Sequence, residues 1–402
     1  MASGLAVQAW LSLAKPFGRT PLARHSRVRP TPAPSWAMVA AFIAPILDIP
    51  LGQLIGDPAP ALTLTTLIVV LVARGRRFRA QRAATEASVT SAAGTPYRVV
   101  SSEIVATGVK RLLLTPESGE VPAWSPGAHV DLVLASDLVR QYSLAGDPED
   151  RICLEVAVLI EPEGRGGSVE MHALRAGDTV TVAGPRNHFP LVDAPGYLFV
   201  AGGIGITPFL PMIREADRLG RPWRLVYRGA RLADMAYAAD LTDHYPDRVQ
   251  LLPADECPRP DLSELLAQQP AGTAAYCCGP EAMLDAFEKA GTENRHVDVH
   301  VERFTPLDLT DLPSEPFDVT LAFSRRTVHV PGGTTMLDAL RPALPDLPAS
   351  CETGVCGTCV LSVLAGTPDH RDAILNGADR ERTDIIYPCV SRCRDQRIIL
   401  DA

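Results

Sequence analysis

Cys351-Glu352-Thr353-Gly354-Val355-Cys356-Gly357-Thr358-Cys359, answered further along by Cys389, is the stretch that decides how the chain is read. Its spacing, C-x4-C-x2-C followed by a long gap and a fourth cysteine, is the plant-type ligand pattern of a [2Fe–2S] cluster. Four thiolates must converge on two irons, so one tight loop supplies three of them and a distant segment the fourth. Gly354 and Gly357 suit such a loop, because backbone must pass close to the sulfides and donate N–H groups with no Cβ in the way. Zinc is the competing metal, but its structural sites use paired C-x2-C knuckles, and the x4 step has no place in that scheme. Unliganded thiols are the remaining reading, and three of them crowding a short Gly-rich segment count against it.

The 402-residue chain is long enough for two or three domains, each with its own core. A hydrophobic content of 46% with 21% charged residues describes a globular protein and excludes a largely disordered one. The net charge of −9 is unevenly spread, +7 over residues 1–95 and −16 over the rest. An acidic body argues against nucleic acid as a partner. Cys153, Cys257, Cys277, Cys278 and Cys393 suggest no disulfide framework, which points to a reducing cytoplasm.

Residues 1–95 read unlike the rest. Residues 15–34 are rich in Arg and Pro and are expected to be disordered. Two apolar runs come next. The first, Ala37 to Gly56, is interrupted by Pro45, Asp48 and Pro50; the second, Ala59 to Ala73, is cleaner but short for a bilayer span. Arg74-Gly75-Arg76-Arg77-Phe78-Arg79 would hold the remainder of the chain in the cytoplasm if that run inserts. Residues 37–73 are thus a candidate attachment to the cytoplasmic face of a membrane. A transit peptide, a disordered extension and a start at Met38 are the other readings, and residues 80–95 read as a flexible linker.

From Tyr97 short strands with turn signals take over: Val99–Ile104, Lys110–Thr115, His129–Leu134, Ile152–Ala157 and Thr179–Ala183. They predict a small antiparallel β-barrel over residues 96–194. Arg140-Gln141-Tyr142-Ser143 puts Arg140 and Tyr142 on one face of a strand and Ser143 on the other. Such a strand offers a cation, an aromatic plane and a hydroxyl, although a surface strand would look the same. Gly164-Arg165-Gly166-Gly167-Ser168 precedes a helical stretch over Val169–Leu174, so free N–H groups there make an anion site; alone it is also a plausible turn.

Tyr197–Ala201 is a continuous apolar run of the kind buried in parallel sheets, and it opens an α/β domain over residues 195–304. It feeds Gly202-Gly203-Ile204-Gly205-Ile206-Thr207-Pro208 and then a helical pattern, a strand, Gly-rich turn and helix suited to a pyrophosphate. This is not the full G-x-G-x-x-G fingerprint. Strand–helix alternation continues to Ala274–Cys278, which runs into Gly279-Pro280 and a helix over Glu281–Ala290. Cys278 read by itself could be a small buried hydrophobe. Arg228 and Arg231 after the second strand could greet a 2′-phosphate or simply be solvated.

Residues 305–316 are a linker by composition. Phe317–Phe323 alternates, Thr327–Val330 pairs with it, and a short helix over Thr334–Leu340 is capped by Thr334. That predicts a β-grasp domain over residues 317–402, a hairpin and a helix ahead of the cysteine loop. Cys393 competes with Cys389 as the last ligand.

Taken together, Arg140–Ser143, Gly164–Ser168, Asn187-His188-Phe189-Pro190-Leu191, Gly202–Pro208, Cys278-Gly279-Pro280, Glu302-Arg303-Phe304 and the cysteine spacing resemble one family. It is that of phthalate dioxygenase reductase and vanillate O-demethylase reductase, in the ferredoxin–NADP reductase superfamily. The likeness runs from residue 97 to 402, in the order barrel, nucleotide domain, ferredoxin. It implies FMN held by Arg140, Tyr142 and Ser143, with Gly166, Gly167 and Ser168 on its phosphate. It implies NADH on Gly202, Gly203, Gly205, Thr207, Pro208 and Gly279, with Cys278 near the reacting nicotinamide carbon. Phe304 would cover the flavin face, so Ser143, Cys278 and Phe304 are the expected catalytic positions. Tyr387-Pro388-Cys389 resembles the segment carrying the fourth ligand, which favours Cys351, Cys356, Cys359 and Cys389 as the metal set.

The implied activity is an NADH-dependent reductase that passes electrons through FMN and a [2Fe–2S] cluster to a separate, Rieske-type oxygenase. Nicotinamide gives two electrons as hydride and a cluster takes one, so a flavin between them is the adaptor. A cytochrome P450 is an alternative acceptor. A non-enzymatic iron–sulfur carrier or a membrane-tethered interaction protein is the alternative from another class, and the intact Arg140–Ser143 and Gly202–Pro208 stretches speak against it.

Overall fold

Chain order explains the architecture: short strands joined by tight turns, then strands alternating with helices, then short strands again. A computed structural model describes residues 94–402, and residues from 91 onward form one compact unit. The basic N-terminal segment and both apolar runs lie outside the described residues. Among those described, no helix is long and apolar enough to cross a membrane.

The first sheet comprises β1 (Thr95–Ala106), β2 (Val109–Pro116), β3 (Ala128–Val133), β4 (Val139–Ser143), β5 (Leu154–Leu159) and β6 (Thr179–Asn187). Their order is β4-β3-β6-β1-β2-β5, every pairing antiparallel. A bridge between Leu144 and Val156 brings the two edges together and curls the sheet into the expected barrel. Alternation along β2 and β5 sends Leu112, Leu114, Leu154, Val156 and Val158 inward onto Val130, Leu132 and Leu144. Between β5 and β6 lies a short helix, α1 (Gly167–Ala173).

The second sheet contains β7 (Tyr197–Gly202), β8 (Trp223–Gly229), β9 (Val249–Pro253), β10 (Ala274–Cys278) and β11 (Asp298–Glu302). It is wholly parallel, in the order β11-β10-β7-β8-β9. All of β7 is buried, as its unbroken apolar run requires of a strand covered on both faces. Phe199 and Tyr276 point to one side, with Phe209 and Ile213 of α2 (Phe209–Arg218). Leu198, Val200 and Cys277 point to the other, against Leu266 of α4 (Leu262–Ala267) and Leu284 and Phe287 of α5 (Glu281–Glu293). Between β8 and β9 lie a 3-10 turn over Leu232–Asp234 and helix α3 (Ala238–His244).

The third region carries β12 (Phe317–Leu321), β13 (Thr327–Val330), β14 (Leu361–Ala365), β15 (Pro368–Asp369), β16 (Ile385–Ile386), β17 (Arg392–Cys393) and β18 (Arg397–Leu400). Five strands form a mixed sheet, β13-β12-β18-β14-β16, while β15 and β17 pair separately. Helix α6 (Met336–Leu340) is capped by Thr335, whose hydroxyl accepts from the Asp338 N–H at 3.0 Å, and not by the expected Thr334. Met336 and Leu340 pack on Val319, Ile398 and Leu400, the buried face of a β-grasp arrangement.

Candidate functional site

The parallel sheet sets the nucleotide position. Its order reverses between β7 and β10, and the crevice at such a reversal, beyond the carboxyl ends of the strands, is where ligands bind in α/β sheets. The turns leaving those two strands touch backbone to backbone. A Cβ on Gly205 would overlap the Cys278 carbonyl, one on Gly202 would stand 2.6 Å from Pro280 Cδ, and one on Gly279 would stand 2.9 Å from Gly202 Cα. Glycine is therefore a packing requirement at all three. Gly203 adopts φ +56°, the left-handed region, as the chain turns into a 3-10 segment, and Pro208 caps α2. Thr207 is buried, its hydroxyl donating to the Ile204 carbonyl at 3.0 Å.

Cys278 is fully buried under these turns, and its Sγ lies 3.9 Å from Glu302 Oε2 on the neighbouring strand. Burial pushes the Glu302 carboxyl up to about 8 and the Cys278 thiol well above its ordinary value. The pair is therefore a neutral thiol beside a protonated acid at neutral pH. Phe304, two residues past Glu302, stays 42% exposed. Arg228, at the end of β8, donates to the Pro258 carbonyl at 3.0 Å, which commits its guanidinium within the protein.

Strand β4 carries the second group. Tyr142 is partly buried against the barrel core, and burial pushes its hydroxyl up to about 12. Ser143 is buried at the strand's end, opposite His129. The Arg140 side chain lies across Gly167, where a Cβ would overlap it, and reaches the Arg165 carbonyl at 3.4 Å. The structure thus brings Arg140 to the Gly166–Ser168 loop, as the motif pair requires. Ser168 Oγ accepts the Glu161 N–H at 2.9 Å, and Gly166 holds φ +83°. A cation on a hydrogen-only surface, beside an aromatic ring and a helix start, fits a flavin with its phosphate.

Arg214 of α2 joins the two regions, donating to the carbonyls of Ala145 and Gly146 just beyond β4, both at 2.8 Å. Tyr237 adds a bond to Glu155 Oε1 at 2.8 Å. Sequence reasoning missed Arg214, Tyr237 and the carboxyl of Glu302. Nothing in the local pattern marks Arg214 or Tyr237, since only the packing of sheet on barrel gives them partners, and the Glu302 motif does not announce that its carboxyl lies beside Cys278.

The cysteines come as two pairs. Cys359 Sγ lies 3.4 Å from Cys389 Sγ, and Cys351 shares a hydrogen bond with Cys356. Those bonds hold Cys351 down to about 5 and lower Cys359 as well, while Cys356 and Cys389 are raised. Glu352, Gly354 and Gly357 all take positive φ, the tight loop the spacing called for. Among the described residues no three metal-ligating side chains converge on one ion, whereas thiols divided two and two suit a pair of irons. Cys393 lies on β17, paired with Pro368, and packs against the core of the third sheet.

Turns shaped for a dinucleotide, in the same compact unit as a loop whose paired thiols suit two irons, define an electron-transfer oxidoreductase. The 2Fe-2S iron-sulfur cluster binding domain family matches residues 319–394. The phenoxybenzoate dioxygenase subunit beta of Ectopseudomonas oleovorans is 41% identical over 292 residues, 72% of this chain and 91% of that protein. Phthalate dioxygenase reductase, whose structure is described as modular for electron transfer from pyridine nucleotides to [2Fe–2S], is 31% identical. Its TM-score is 0.56, over 77% of this chain and 98% of that one. An intact type IV self-sufficient cytochrome P450 monooxygenase is 38% identical with a TM-score of 0.72; the match takes in 77% of this chain, which spans 41% of that longer one. The chain belongs to the phthalate dioxygenase reductase family, oxidoreductases built around a 2Fe-2S iron-sulfur cluster binding domain.

Proposed function

We propose that the chain is the reductase component of an oxygenase system, carrying electrons from NADH through FMN and a [2Fe–2S] cluster to a separate, Rieske-type oxygenase that hydroxylates or O-demethylates an aromatic ring. The observation that carries this reading is the joining, in one compact unit, of the Gly202–Gly205/Cys278–Gly279 crevice, the Arg140–Gly167 cradle and the paired thiols. Relatives named as dioxygenase components support the class of partner.

On this reading residues 96–194 bind FMN, 195–304 bind NADH, 305–316 link, and 317–402 hold the cluster. Arg140, Tyr142, Ser143, Gly166, Gly167 and Ser168 hold the flavin and its phosphate. Gly202, Gly203, Gly205, Thr207, Pro208 and Gly279 seat the dinucleotide by leaving room for it. Cys278 and Glu302 would present an uncharged surface to the nicotinamide, and Phe304 would stand over the flavin face. Cys351, Cys356, Cys359 and Cys389 would ligate the cluster's two irons. Bound flavin supplies the conversion of a hydride pair into single electrons. Residues 37–73 would add an attachment to the cytoplasmic face of the membrane, which fractionation of the full chain tests.

The purified holoprotein should oxidise NADH with ferricyanide or cytochrome c as acceptor and release FMN on acid treatment. Colourless protein inert to NADH would overturn the reading. A second reading, delivery to a cytochrome P450, rests on the 38% identity to the self-sufficient P450. Coupling of NADH consumption to product with a Rieske oxygenase but not with a P450 would separate the two.

A further inference from the structure

Asp131, in the middle of β3, is a carboxylate only 2% exposed that the sequence motifs do not touch. A buried charge is tolerated only with a counter-ion and a full set of hydrogen bonds. Arg186 of β6 supplies the charge. Gln141 of β4, facing Asp131 in the strand register, donates to Oδ1 at 3.0 Å. The third partner comes from the ferredoxin region: Ser350 Oγ donates to Oδ2 at 2.6 Å. Gln141 Nε2 also stands 3.3 Å from that hydroxyl.

The positions of these partners along the chain are what matter. Ser350 immediately precedes Cys351, the first thiol of the loop, and Gln141 sits between Arg140 and Tyr142 on the proposed flavin strand. A second contact lies further along the same loop, where the His188 ring covers Gly357 so closely that a Cβ there would overlap it. The barrel therefore grips the cysteine loop at its start and at its centre, and the grip at its start ends on a buried carboxylate.

We propose that Asp131 is a positioning residue that, through Ser350, sets the separation between the flavin strand and the first cluster ligand. It thereby controls the step in which reduced flavin loses one electron and the cluster gains it, with no bond formed or broken. This rests on the proposed flavin and cluster assignments. Asp131 touches neither cofactor site directly, so its loss leaves hydride transfer from NADH alone and slows only the passage onward.

The test uses the holoprotein under anaerobic rapid mixing with NADH, following flavin and cluster bleaching separately in Ser350→Ala, Ser350→Thr and Asp131→Asn. Ser350→Ala should bleach its flavin at the unaltered rate and its cluster several-fold more slowly. Ser350→Thr, which keeps the hydroxyl, should restore the cluster step. Independently of turnover, amide hydrogen exchange over residues 350–359 should quicken in Ser350→Ala while visible circular dichroism shows the cluster retained. If Asp131→Asn fails to fold, Ser350→Ala still decides. Equal slowing of both steps, or an unaltered cluster step despite faster exchange, overturns the proposal. Unsubstituted protein lacking flavin or cluster absorbance would instead overturn the cofactor assignments.

Discussion

The side-chain amide of Asn376 donates to the Val301 carbonyl at 2.8 Å, tying the segment beneath the cysteine loop to the last strand of the parallel sheet. Its Oδ1 accepts from Arg303 at 3.3 Å, and Arg303, almost wholly buried, is neutralised by Asp285 and Glu288 of α5. From the same segment, Ala373 donates its N–H to the Gly354 carbonyl at 2.9 Å. Replacing Asn376 by Ala leaves the Val301 carbonyl and the Arg303 guanidinium each short of a partner, and should cost about 1–3 kcal/mol. Melting followed by visible cluster absorbance should show the drop, and an unaltered midpoint would mean the contact is dispensable.

Glu302 predicts a pH dependence of stability. Its folded value, about 8, lies above the ordinary 4.5, so between those values the folded protein binds a proton that the unfolded chain has released. The contribution is complete below the ordinary value and is lost as pH rises through about 8. Urea midpoints should therefore fall between pH 5 and 8 by about the amount Glu302 supplies, and Glu302→Gln, which stays neutral, should remove that part of the slope. An identical slope in the variant would place its source elsewhere.

Gly205→Ala puts a methyl group into the Cys278 carbonyl, a backbone atom that cannot rotate away. Overpacking of this kind costs about 1–3 kcal/mol, or roughly tenfold and more in affinity if the strain falls on the binding turn. NADH titration should show the weakened binding while flavin and iron contents hold.

Cys389 and Cys393 should separate cleanly. Cys389→Ser removes the thiol 3.4 Å from Cys359 and should abolish the cluster's visible spectrum. Cys393→Ser changes only a residue on β17 packed beside the sheet, and iron analysis should find the content of the unsubstituted protein.

Much of the architecture is legible in the chain because the chemistry is local. The cysteine loop declares itself within nine residues, the buried strand Tyr197–Ala201 by its unbroken apolar run, and the barrel by period-two alternation. The cap of α6 falls on Thr335, one residue beyond Thr334, because two adjacent threonines offer the same hydroxyl and only backbone geometry chooses between them. Asp131 and Ser350 are 219 positions apart, and no periodicity relates them. Glu302 could be seen as part of a motif, but its raised carboxyl comes from desolvation beside Cys278 of β10, which strand pattern does not reveal. Residues 1–93 lie outside the described structure.

Strand β18 has the last word on assembly order. It runs parallel to β12 and antiparallel to β14 in the middle of the third sheet, so Ile398 and Leu400 form the floor on which Met336 and Leu340 rest. Every candidate ligand thiol, Cys389 included, is synthesised before that strand. A nascent chain halted at residue 396 would already own all four thiols and the contacts of their loop, but would lack the strand that completes the floor of this sheet.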